Sequence, residues 1–97
     1  MDEIQEYTKS LINTLFEKDS PEYMDALSAM SIEVERMLSE NADLLFSYLY
    51  RLDVDEQKIK IAMNPMTPDA PHIGLARLII DRQLQRIRTQ QEYSNKK

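Results

Sequence analysis

The sequence predicts an all-α fold: a compact bundle of four to five helices with a long C-terminal helix. Three observations predict it. Apolar residues recur at three- and four-residue intervals along most of the chain, no segment alternates apolar and polar residues as a half-buried strand would, and only one Gly and four Pro punctuate 97 residues. A chain of this length supports one hydrophobic core and not two. Residues 1–93 are therefore read as a single helical domain, followed by a flexible basic tail, 94–97. The composition, 42% hydrophobic and 30% charged, lies away from the weakly hydrophobic, highly charged regime of disordered chains.

The first helix is expected from about Asp2 to Lys18. Ile4, Tyr7, Leu11, Ile12, Leu15 and Phe16 stand at helical spacing, Asp2, Glu3 and Glu6 suit the positive end of the helix dipole, and Lys18 suits the negative end. The second begins at Ser20-Pro21-Glu22, where a Ser hydroxyl can accept from free backbone N–H groups and Pro sacrifices no hydrogen bond. Met24, Leu27, Met30, Val34, Met37 and Leu38 then form a core stripe to about Leu38. The third helix, from near Asn41 to Leu52, has almost no polar face, which predicts neighbours on several sides and makes Leu45, Phe46 and Leu49 the expected deepest residues.

Asp53-Val54-Asp55-Glu56 fits a capping box, with Asp53 as the cap of a short fourth helix that reaches about Ala62. Met63 to Asp69, with two prolines, reads as the one substantial loop. A final helix is expected from about Ala70 to Tyr93, with Asp69 as its cap and Pro71 in its first turn.

Several function classes are excluded or disfavoured. The absence of Cys removes disulfides, thiolate nucleophiles and sulfur-ligated metals. The most apolar stretch, Leu44–Leu52, is interrupted by Ser47 and Arg51 and falls short of the ~20 residues that span a bilayer, so no membrane partner is expected. The acidic opening is unlike a secretory signal, which makes a cytoplasmic location the expectation. Asp53, Asp55 and Glu56 lack the further oxygen ligands, the Gly and the terminal Glu of a calcium loop. His72 is the single histidine, with Asp69 three residues before it as a conceivable orienting group, but no Ser or Thr is placed as a nucleophile. Gly74 stands alone and makes no phosphate-binding loop. No catalytic residue, cofactor or metal is therefore assigned.

Charge is unevenly distributed. Residues 1–56 hold 4 Lys/Arg and 14 Asp/Glu, whereas residues 57–97 hold 8 and 3. Arg82, Arg86, Lys96 and Lys97, with Lys58 and Lys60, form the candidate basic surface of a nucleic-acid-associated protein. At about 100° per residue, however, Ile73, Ala76, Ile80, Leu84 and Ile87 fall on one stripe of the last helix, Arg77 and Arg88 flank it, and Arg82 and Arg86 lie opposite. The arginines are dispersed and the chain carries a net charge of −5, which favours internal offset of the two signs over nucleic-acid binding.

Tyr48 and Tyr50, with Met63 and Met66 in the loop, could edge an apolar contact surface, because Met is flexible and polarizable. Leu75, Leu78 and Ile79 lie outside the main stripe of the last helix. Tyr48, Tyr50, Met63, Met66, Leu75 and Ile79 are thus the candidate interaction residues. The expected function is a non-catalytic helical protein-interaction or regulatory module that associates with itself as a homodimer. The alternatives are the nucleic-acid-associated protein just described and a small enzyme or ligand-binding protein using His72.

Overall fold

A computed structural model describes residues 3–94. These form α1 (Glu3–Leu11), α2 (Pro21–Glu40), α3 (Ala42–Arg51), α4 (Glu56–Met63) and α5 (Pro71–Ser94), with no strand among the described residues. The protein is all-α, and its C-terminal helix is the longest. Lys96 and Lys97 lie outside the described residues, while Ser94, expected in the tail, closes α5.

The first helix ends at Leu11, well before the expected Lys18. The amide of Ile12 still donates to the Thr8 carbonyl at 2.9 Å, after which the chain leaves helical geometry at Asn13-Thr14, two residues of low helix propensity. Tertiary packing accounts for the early end. Ile12 is fully buried, and Phe16 meets Tyr23 edge to face with ring centroids 6.5 Å apart, so the connection wraps its apolar residues onto the start of α2. Asp19, at φ 64°, turns the chain into the next helix.

Ser20 caps α2 as expected, its hydroxyl accepting from the Tyr23 amide at 3.2 Å, with Pro21 in the first helical position. Tyr23, Ala26, Leu27, Met30, Val34 and Met37 are buried along one face, but Met24, expected on the core stripe, is exposed. Asn41 joins two helices. Its N–H donates to the Met37 carbonyl at 2.7 Å to close α2, and its side-chain oxygen accepts from the Leu44 amide at 3.3 Å to open α3.

At the end of α3, Val54 N–H donates to the Leu49 carbonyl (3.2 Å) and Asp53 N–H to the Tyr50 carbonyl (3.0 Å). With Asp53 at φ 64°, this is the Schellman pairing of a helix C-terminus. Asp53 therefore does not cap the fourth helix; Asp55 does, accepting from the Gln57 amide at 2.8 Å. Leu52 and Val54 are both buried, and drawing them inward commits the intervening Asp53 to the turn.

α5 packs against α2, α4 and α1, while α3 packs against α2 and α1. α3 thus has neighbours on more than one side, as expected, but α5 is the more enclosed of the two. Its buried residues, Leu75, Ala76, Ile79, Ile80 and Leu84, span about half the helix circumference at ~100° per residue, wider than the expected stripe. Leu45 and Leu49 are fully buried as expected, whereas Phe46 is only half-buried. Gly74 allows α4 to approach α5 closely: a Cβ there would stand 3.1 Å from the Ala62 Cβ.

Candidate functional site

The α4–α5 edge carries the most concentrated apolar exposure near a groove. The eight residues of α4 include Ile59 and Ile61, which helical geometry sets about 160° apart, so both cannot face α5. Ile59 is half-buried and Ile61 remains 61% exposed. Beyond α4 the loop winds on itself. The Asn64 side chain accepts from the Met66 amide at 2.9 Å, and the Thr67 hydroxyl reaches the Asn64 carbonyl at 2.8 Å and the Asp69 carbonyl at 3.2 Å. Asp69 in turn meets the Arg77 guanidinium at 3.2 Å, which ties the loop to α5. This arrangement presents Met66 at 87% and Met63 at 38% exposure.

Between α4, the loop and α5 lies a groove of about 360 Å³ with Ile61, Ala62, Pro68, Gly74 and Leu78 in its walls and Lys58, Asp69, Arg77 and Asp81 among its charged lining residues. A depression of about 240 Å³ shares Lys58, Leu78 and Asp81 with it and continues to Asp53, Asp55 and Arg82. Compared with protein-family models, curated proteins and solved structures, the chain matches none. What this edge does must be read from its own geometry.

Asp81 also faces the interior. The Tyr23 hydroxyl donates to it at 2.7 Å, and Lys18 approaches its other oxygen at 3.7 Å. Burial, and then the hydrogen bond to this carboxylate, push the Tyr23 pKa well above the ordinary tyrosine value. A neutral Tyr held this way clasps α2 to α5 and is not poised for proton transfer near neutrality.

The other candidates are dispersed. His72 faces Glu35 of α2, with Nε2 and Oε2 3.5 Å apart, while Asp69 is engaged by Arg77 and does not orient the imidazole. Among the described residues no group of three or more His, Asp or Glu could hold a metal ion. Arg82 donates from Nε to the Leu52 carbonyl at 2.9 Å and stands 3.9 Å from Asp53, so it secures the end of α3. Arg77 and Asp19 lie 4.0 Å apart. These contacts are the internal offset of charge between the two halves, and they leave Arg86 exposed without an ion-pair partner among the described residues.

The apolar candidates divide sharply. Tyr48, Leu75 and Ile79 are buried in the chain's own core: α1 covers α3, and α5 is enclosed from several sides. This corrects their assignment to an intermolecular surface. Tyr50, Met63 and Met66 are exposed, and none of the three lines the α4–α5 groove: Tyr50 lies on α3, whereas Met63 and Met66 stand beside the groove in the segment that follows Ile61. Sequence reasoning missed Ile61 and the groove beside it. The available signal was the spacing of Ile59 and Ile61 in a helix too short to bury both.

Proposed function

We propose that the protein is a non-catalytic helical interaction module that pairs with a second copy of itself through the α4–loop–α5 edge. The observation that carries this reading is the exposure of Ile61, Met63 and Met66 within one short segment beside an apolar-walled groove. Covering exposed apolar surface of this kind lowers the free energy. Flexible Met side chains adapt to such a surface at low strain.

Charge supports a second copy as the occupant. The chain carries −5 overall, but residues 56–82 hold 4 Lys/Arg and 3 Asp/Glu, so this edge escapes the mutual repulsion that opposes approach elsewhere. Its groove combines Lys58 and Arg77 with Asp69 and Asp81. A two-fold interface brings the same patch against itself, so any charges in it pair favourably only where both signs share one surface. The nucleic-acid reading has less support because Arg82 is engaged by Leu52 and Asp53.

Methyl NMR spectra recorded across a concentration series test the surface directly. Concentration-dependent shifts should concentrate at Ile61, Met63 and Met66, with Ile32 and Met24, exposed on α2, unmoved. Shifts centred on Ile32 and Met24 would reject the α4–α5 edge.

A further inference from the structure

A second groove separates α1 and its following segment from the C-terminal half of α5. It measures about 300 Å³ and is lined by Lys9, Asn13, Gln83, Arg86 and Gln90 around Ile12 and Ile87. An adjoining depression of about 440 Å³ shares Asn13, Ile87 and Gln90 and extends to Gln91 and Ser94. Neither has a carboxylate in its lining. That is unusual placement in a chain with 17 Asp/Glu and 12 Lys/Arg. Arg36, Arg77 and Arg82 each have a carboxylate within 4.0 Å, whereas Lys9 and Arg86 have none among the described residues.

We propose that this groove binds the phosphoryl group of a small phosphorylated molecule. Lys9 and Arg86 supply positive charge, and the Asn13, Gln83 and Gln90 carboxamides supply neutral N–H donors for the remaining oxygens. A phosphate monoester carries close to two negative charges at neutral pH, which the two cations match better than they match a single carboxylate. The space exceeds what bare phosphate fills. The organic part lies toward Gln91 and Ser94, where carboxamide and hydroxyl groups can exchange hydrogen bonds with ligand hydroxyls.

The full ¹⁵N-labelled chain is titrated with sodium phosphate and, separately, with ribose 5-phosphate, against sodium chloride at matched ionic strength to remove general screening. Saturable shifts are expected at the side-chain amides of Asn13, Gln83 and Gln90 and at Arg86 Nε, with half-saturation near ~1 mM for phosphate and tighter binding of ribose 5-phosphate. Arg86→Gln and Lys9→Gln should each weaken binding at least about tenfold, while unchanged resonances in α2 and α4 report an intact fold. Shifts reproduced by sodium chloride, no saturation by ~20 mM, or retained affinity in the double variant would overturn the site. Binding confined to a single-stranded oligonucleotide, with steep salt dependence that also involves Arg88, would overturn the small-molecule assignment in favour of a nucleic-acid backbone.

Discussion

Asp53 and Asp55, two residues apart, do opposite work. Asp53 occupies the left-handed region at φ 64°, where a Cβ is sterically unfavourable, and its exposed carboxylate gains little from Arg82 3.9 Å away. Asp53→Gly should therefore raise stability by about 0.5–1 kcal/mol, because Gly is the preferred residue in this helix-ending position. Asp55→Ala should lower it by about 0.5–2 kcal/mol through loss of the hydrogen bond to the Gln57 amide. Urea unfolding of both variants checks the assignment, and the reverse signs would restore Asp53 as the cap. Tyr23 gives a pH signature. Its folded pKa is raised, so its contribution is fully present below the ordinary value of 10.0 and is lost as pH rises beyond it, when the unfolded chain releases the proton first. The slope approaches ~1.4 kcal/mol per pH unit for one proton. Tyr23→Phe should lower stability at neutral pH by about 0.5–1.5 kcal/mol and flatten the decline above pH 10, as measured by unfolding at a series of alkaline pH values. A wild-type decline unchanged by the substitution would remove Tyr23 from that role.

At the scale of helices, the close approach of α4 to α5 at Gly74 and the burial of α3 make separable predictions. Leu49→Ala should destabilise the fold by about 2–5 kcal/mol, since Leu49 is fully buried. Gly74→Leu should also destabilise, by about 1–3 kcal/mol, because the new side chain meets Ala62 of α4 and overpacking exceeds the gain in helix propensity. Thermal unfolding monitors both, and a more stable Gly74→Leu protein would show that α4 can retreat freely. Elements with local chemical signals were legible in the sequence: Ser20-Pro21 opens α2 and Asn41 opens α3. The end of α1 was not, because Leu11, Ile12, Leu15 and Phe16 satisfy helical spacing and equally suit an irregular segment wrapped over Tyr23. The sequence pattern pointed to Asp53 as the cap, but Asp55 offers the same acceptor, and burial of Leu52 and Val54 gives the role to Asp55.

For the whole molecule, α5 sets the long dimension: 24 helical residues extend about 36 Å within overall extents of 45 × 30 × 24 Å. Surplus apolar surface on α5 was visible in the sequence as Leu75, Leu78 and Ile79, but periodicity does not distinguish cover by the chain's own helices from cover by a second copy. Enclosure of Leu75 and Ile79 removes two of these residues from any interface and makes Ile79→Glu a core substitution. Ile61 and Met66 are the residues at which self-association is separable from folding, being exposed in the single chain. A specific interface on this edge has to bury upwards of ~1,000 Å² in total, which requires α4, the loop and the adjoining face of α5 together. Light scattering after size exclusion, on the wild-type chain and on an Ile61→Glu, Met66→Glu variant at up to ~100 μM, separates a paired chain from a single one. Pairing through the α4–α5 edge gives a molar mass approaching twice that of one chain for the wild type and a single-chain mass for the folded variant; a single-chain mass for the wild type at every concentration would rule out pairing.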